Sequence, residues 1–297
     1  MPASNSPAPV FLLLATGTFL GLYFPLGKLS GAAGIPPAVW TLLISAGSAL
    51  VIGAVLALRR EALPLTPPFL RFYAIGGIIS YALPNFLVYL IIPHLGSGYT
   101  SIMYTLSPIV TTILATALNA RRPNLLGVGG ILVGFIGAML IVLGKGRVGE
   151  VNFLWIGVGF LIPLTLATGN VYRTLDWPRG AQPLALAAGS NLAAALVMSA
   201  VLLAANGGLG LGTLANAPLV SLAQVAASAA MLAFFFRLQM AGGPVYLSQI
   251  GYVAAALGLG VGTFLLGEHY HWLTWLGAAV ITAGVIVTTI AQRVPGG

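Results

Sequence analysis

Apolar residues run through this chain in stretches of about twenty, parted by short polar breaks. Ten such stretches recur from end to end: about 10–30, 38–58, 70–91, 97–118, 124–143, 153–172, 183–205, 218–240, 244–266 and 271–291. At 1.5 Å rise per residue, about 20 residues cross a hydrocarbon core ~30 Å thick. Hydrocarbon offers backbone amides no partner beyond their own segment, so each stretch predicts a helix. A barrel needs segments of about ten residues with alternating polarity, and that pattern is missing. The breaks are mostly about 5 to 12 residues long and leave no room for an inserted soluble domain.

Charge sharpens this picture. Only 4 acidic and 12 basic residues occur among 297, while 59% of positions are hydrophobic. Soluble domains carry roughly a quarter charged residues, so the solvent here is lipid. The net charge of +8 would point to nucleic acid in a soluble protein, but here the basic residues cap apolar segments, and no nucleic-acid partner is expected. Nine arginines (59, 60, 71, 121, 122, 173, 179, 237 and 293) fall on one side, against Lys28, Lys145 and Arg147 on the other. The positive-inside rule then places both termini in the cytoplasm of a multi-pass inner-membrane protein. Residues 1–9 carry no Lys or Arg, so the first segment is read as a span and not as a cleaved signal. Trp40, Trp155, Trp272 and Trp275 stand at segment starts and Trp177 in a loop, which predicts interfacial anchors.

The two halves resemble each other. At a shift of 142, Phe11, Gly17, Gly27 and Pro36 meet Phe153, Gly159, Gly169 and Pro178, and Ala46-Gly47-Ser48 meets Ala188-Gly189-Ser190. At a shift of 150, Gly127 and Gly134 meet Gly277 and Gly284. Five spans per half force the second half into the opposite orientation, the arrangement of secondary transporters with a midplane site. The predicted fold is therefore an all-α membrane protein of ten transmembrane helices, built as two inverted five-helix repeats (1–148 and 149–297) in one transport domain.

With five plus five helices, short loops, and Leu266-Gly267-Glu268 ahead of a last helix carrying Gly277 and Gly284, the chain resembles the drug/metabolite transporter superfamily, EamA-like branch. Within it the similarity is greatest to bacterial amino-acid exporters, including those for aromatic amino acids. The first half has Leu118-Asn119 where the second has the glutamate. The resemblance implies a central pocket lined by helices 1, 3, 4, 6, 8 and 9, with helices 5 and 10 outside. It also implies outward movement of amino acids and related neutral metabolites.

The acids say most by their positions. Glu61, Glu150 and Asp176 fall in loops and Glu268 at the end of helix 9, so no span has a carboxylate at its middle. A cation/proton antiporter uses such an acid as proton carrier, which disfavours a cationic-drug or polyamine exporter. Gly144-Lys145 lacks the rest of a phosphate-binding loop, and no catalytic pair is buried in the spans, so neither ATP drive nor an enzyme is expected. No cofactor is expected. His94, His269 and His271 sit at turns and predict no metal site, and the absence of cysteine removes thiolate ligands and disulfides. Lys28, Arg173 and Arg237 lie near helix ends and are expected to snorkel. Such shallow cations weaken the case for a sugar-phosphate carrier.

Polar and aromatic residues inside spans mark a candidate pocket. Tyr81, Asn85 and Tyr89 repeat every four residues on helix 3, with Met231, Phe235 and Gln239 at the matching positions of helix 8. Gln224 and Ser228 extend the helix 8 face; Tyr23, Tyr104, Thr165, Gln249 and Tyr252 come from helices 1, 4, 6 and 9. Interhelical packing is the alternative role for each of them. A neutral, aromatic, amide-bearing site suits a zwitterion with an apolar side chain. Pro25, Pro84, Pro108 and Pro163 are candidate hinges, since each removes a helical hydrogen bond. Oligomeric state is open, and a non-transporting scaffold remains the other class of reading.

Overall fold

The computed structural model describes residues 8–118, 125–145 and 153–293, and every regular element among them is helical. In order these are α1 (Ala8–Gly21), α2 (Tyr23–Ala32), α3 (Pro37–Leu58), α4 (Pro67–Gly77), α5 (Leu83–Leu95), α6 (Ser97–Thr105), α7 (Ser107–Ala117), α8 (Leu125–Lys145), α9 (Phe153–Leu175), α10 (Pro183–Asn206), α11 (Pro218–Phe264) and α12 (Trp272–Arg293). Helix is thus found at every predicted stretch. Among the described residues six runs are long and apolar enough to cross a membrane: Phe11–Ala32, Pro37–Leu58, Pro67–Leu95, Phe153–Arg173, Pro183–Asn206 and Pro218–Phe235. Large apolar side chains face outward, with Leu125 92%, Leu58 85% and Phe264 83% exposed. A surface of that kind, on helices of this length, suits a lipid surround.

Prolines explain three of the breaks. A proline leaves the carbonyl four residues earlier without its donor. For Pro25 that carbonyl belongs to Gly21, where α1 ends and α2 begins after Leu22. For Pro108 it belongs to Tyr104, beside the α6–α7 break at Leu106. For Pro84 it belongs to Ser80, within a π-helical turn over Ile78–Ala82 that joins α4 to α5. Pro163 departs from the expectation: it lies inside an unbroken α9.

Helices 8 and 9 were expected as separate spans, yet residues 218–264 form one element. Forty-seven residues in a straight helix would reach about 70 Å. This element is not straight. Phe234 stacks on Phe19 with ring centroids 5.8 Å apart, while a Cβ on neighbouring Gly17 would meet Val253 at 2.4 Å. Both arms, before Leu238 and after Ile250, therefore lie against α1, and the element doubles back between them.

Packing follows a paired plan. Helix α1 lies on α11, and α9 lies on α5 and α7; α10 contacts α3 and α4, and α3 also meets α11. Gly17 faces Val253, and Gly159 faces Met103 (3.7 Å). These four are partners under the 142 and 150 shifts. Helices α8 and α12 form a pair of their own, backbone against backbone. A Cβ on Gly284 would stand 2.5 Å from the Gly134 amide nitrogen, and one on Gly277 2.7 Å from the Gly137 carbonyl oxygen. Small residues give this closeness, which in lipid replaces the hydrophobic drive for association.

Two expected interface residues are placed differently. Trp272 and Trp275 are exposed, but Trp40 is fully buried and meets Tyr89 edge to face at 6.4 Å. Its position at the start of α3 is covered by neighbouring helices, so it packs in the core and does not anchor. Lys28 does not snorkel into solvent; it pairs with Glu268 at 2.7 Å. The fixed carboxylate holds the ammonium better than water does at this half-buried place.

Candidate functional site

Six of the predicted pocket residues come together inside the bundle. The Tyr23 hydroxyl, on α2, lies beside Ser228 of α11 and near Tyr81. Tyr89 of α5 stands close to Tyr23 and Tyr104, with Trp40 behind it. The Gln224 amide donates to the Ser228 hydroxyl (3.2 Å), which itself donates to the Gln224 backbone carbonyl (2.8 Å). Both side chains are fully buried. The Gln224 Oε1 and the Tyr252 hydroxyl are buried without a hydrogen-bond partner. A buried polar atom without a partner costs about 1–3 kcal/mol, a cost that a donor or acceptor on a bound ligand removes.

The remaining candidates are placed otherwise. Phe235 packs with Leu12, Leu13, Leu20 and Leu238 toward α1. Thr165 donates to the Ile162 carbonyl (2.9 Å) in its own helix, close to Pro163. Tyr252 packs on the same core cluster as Tyr23, Tyr89 and Tyr104, and Asn85 is half-buried. Tyr81 lies in the π-helical turn, which takes it off the plain α register shared by Asn85 and Tyr89. The side chains of Gln239 and Gln249 lie outside the described residues.

At one end of the bundle the structure builds a second polar site. Ser97 donates to Glu268 Oε1 through both its amide and its hydroxyl, each at 2.9 Å. The Gly98 amide donates to Glu268 Oε2 (3.2 Å) and to the Tyr270 hydroxyl oxygen (3.1 Å), and that hydroxyl donates to Glu268. With Lys28, these donors saturate a carboxylate that caps the N-terminus of α6 from 171 positions away. Gly96 turns the chain into α6 at φ +88, and a Cβ there would meet the Glu268 carboxylate at 3.2 Å. Burial pushes the Glu268 carboxyl up, but Lys28, the two amides and the Ser97 hydroxyl outweigh it and hold it below the ordinary glutamate range. Beside this cluster opens a cavity of about 480 Å³, with Lys28, Ala32, His94, Tyr99, Glu268 and Tyr270 among its lining residues. The sequence marked Glu268 as the end of a helix and as part of the Leu266-Gly267-Glu268 stretch, not as a cap for α6. Gly96-Ser97-Gly98 between two apolar runs was the available signal for the cap, but its partner could not be read from spacing.

The opposite end carries a looser pair. Arg71, at the start of the helical run that Gly96 ends, bonds Asp176 just beyond α9. Tyr172 donates to the same carboxylate at 2.6 Å. The Tyr172 hydroxyl and the Arg71 guanidinium hold Asp176 below the ordinary aspartate range. Nearby Arg173 donates to the Asn170 side chain at 2.5 Å. Among the described residues no group of three metal-ligating side chains occurs.

Residues 8–143 match the EamA-like transporter family. No curated protein matches the chain. Sixteen solved chains match; one of them, a crystal structure, covers 94% of this chain and 99% of its own with a TM-score of 0.58 and 18% identity, a likeness of fold. With its apolar helices and outward-facing leucines, the chain is a multi-pass membrane protein. Residues 8–143 are thus similar to the EamA-like transporter family, a family of small-molecule membrane transporters and consistent with the drug/metabolite transporter superfamily.

Proposed function

We propose that ten helices form two inverted halves, 1–148 and 149–297, which rock about a central site and export amino acids and related neutral metabolites across a bacterial inner membrane, with both termini cytoplasmic. The paired packing of Gly17 on Val253 and Gly159 on Met103 supports the inverted repeat, as does the end of the family match at residue 143. Residues on repeat-related helices then line equivalent half-pathways, as in other inverted-repeat carriers.

The neutral cluster around Tyr23, Tyr89, Gln224 and Ser228 carries the substrate reading. Amide and phenol groups offer donors and acceptors to a zwitterion without a fixed charge that would favour either of its ends. Aromatic walls suit an apolar side chain. No acid sits at the middle of a span, so transport follows the substrate gradient without a midplane proton site.

Purified protein in liposomes preloaded with labelled amino acids tests this directly. Efflux above that of empty liposomes, unchanged by an imposed pH gradient, is the expected result. Efflux that demands the gradient would refute the gradient-free mechanism. No amino-acid efflux from correctly folded protein would refute the substrate class. Tyr81→Ala and Asn85→Ala are expected to lower flux at unchanged expression, whereas loss of folding would assign both residues to packing.

A further inference from the structure

The cluster at Lys28 and Glu268 has more donors than an end cap needs. Four protein groups apart from Lys28 hold the carboxylate: the Ser97 amide and hydroxyl, the Gly98 amide and the Tyr270 hydroxyl. It therefore stays in place when the ammonium leaves. The side chain of Glu268 is 9% exposed, that of Lys28 34%. Lysine is a compact charge on a flexible four-carbon stem, so of the two partners it is the one free to swing. Both groups line the cavity of about 480 Å³.

We propose that this cavity is a second, release-side binding site for a zwitterion, whose ammonium takes Glu268 and whose carboxylate takes Lys28 in place of the ion pair. The inference rests on the amino-acid reading above and extends it from the centre to the end of the path. Charge complementarity carries it: the pair offers one fixed anion and one movable cation, the two contacts a zwitterion needs. Tyr99 and Tyr270, edge to face at 5.1 Å, supply aromatic wall beside the carboxylate, where an ammonium is also favoured. Lys28 comes from the first half and Glu268 from the second, so occupation exchanges a tie between halves for two contacts to the ligand. The ligand's own charges replace those of the pair, so neither side chain is left without a partner.

The chain lacks cysteine, so Ala32→Cys on the exposed cavity rim gives a single reporter thiol. Its labelling by a membrane-impermeant thiol reagent would be followed in the purified full chain. Phenylalanine is expected to slow labelling about fivefold once the site is mostly occupied. Phenethylamine, which lacks the carboxylate, and 3-phenylpropionate, which lacks the ammonium, are expected to protect far less. Adding Lys28→Met or Glu268→Gln to the reporter is expected to abolish protection. Equal protection by either analogue, or protection that survives Lys28→Met, overturns the proposal. Protection without amino-acid efflux would uphold this site and sink the transport reading; efflux without protection would do the reverse.

Discussion

Two ion pairs stand at opposite ends of this bundle, each joining a cation from residues 1–148 to an acid from 149–297. Lys28–Glu268 is mostly enclosed, and its acid receives donors from an amide pair, a serine and a tyrosine. Arg71–Asp176 is open, with side chains 61% and 26% exposed and one tyrosine in support. The contrast shows that what surrounds an ion pair matters more than the pair. A guanidinium is the better geometric partner for a carboxylate, yet the lysine pair is the one built into the fold. Exposed pairs contribute 0 to about 1 kcal/mol, while an enclosed carboxylate that caps a helix organises the elements around it.

Removing the enclosed acid should have the largest effect. Glu268→Ala leaves Lys28 and the Ser97 and Gly98 amides without their acceptor, and a loss of about 2–3 kcal/mol in stability is expected from thermal unfolding in detergent. A loss below about 0.5 kcal/mol would place this pair with ordinary surface pairs and erase the contrast. Gly98→Ala comes next. Its Cβ would fall 2.1 Å from the Tyr270 hydroxyl, so the ring must move and give up its bonds to Glu268 and the Gly98 amide. A cost of about 1–2 kcal/mol should follow in thermal unfolding, and it should shrink in a Tyr270→Ala background, where no ring stands in the way.

Acid provides a graded version of the same comparison. A glutamate held below its ordinary value of 4.5 contributes stability that is fully present above that value. The contribution disappears as pH falls through 4.5 toward the depressed native value. The stability gap between the wild type and Glu268→Gln should therefore be steady from about pH 7 to 5 and narrow below about 4. A gap that widened in acid would contradict a depressed native value. The smallest effect is expected at the open end, where Arg71→Ala or Asp176→Asn should change stability by less than about 1 kcal/mol. A larger loss there would make the two ends equivalent.

These contrasts were only partly legible in the sequence. The apolar stretches located helix at every expected place, because period and length report how a segment meets lipid. Proline positions foretold the breaks beside Leu22 and Leu106 and the π-helical turn at Ile78–Ala82, since loss of an amide donor is a local event. Pro163 escaped the rule, and its continuous helix shows that neighbouring turns can absorb the loss. Trp40 misled because a position at a helix start says nothing about what covers it. Phe235 belonged to the predicted polar face of helix 8 but packs toward α1 with leucines.

Solvent, helical class and the neutral midplane were written in the composition and in the spacing of apolar residues. These follow from single-residue transfer energies summed along short windows, which need no knowledge of the rest of the fold. Which polar groups meet was decided in three dimensions. Glu268 reaches Ser97, Tyr23 reaches Ser228, and Gly134 lies under Gly284, each pair far apart in sequence. A hydrogen bond or a close backbone contact depends on ångström-scale approach between helices. That approach is set by glycine positions on both partners at once, and neither helix encodes it alone.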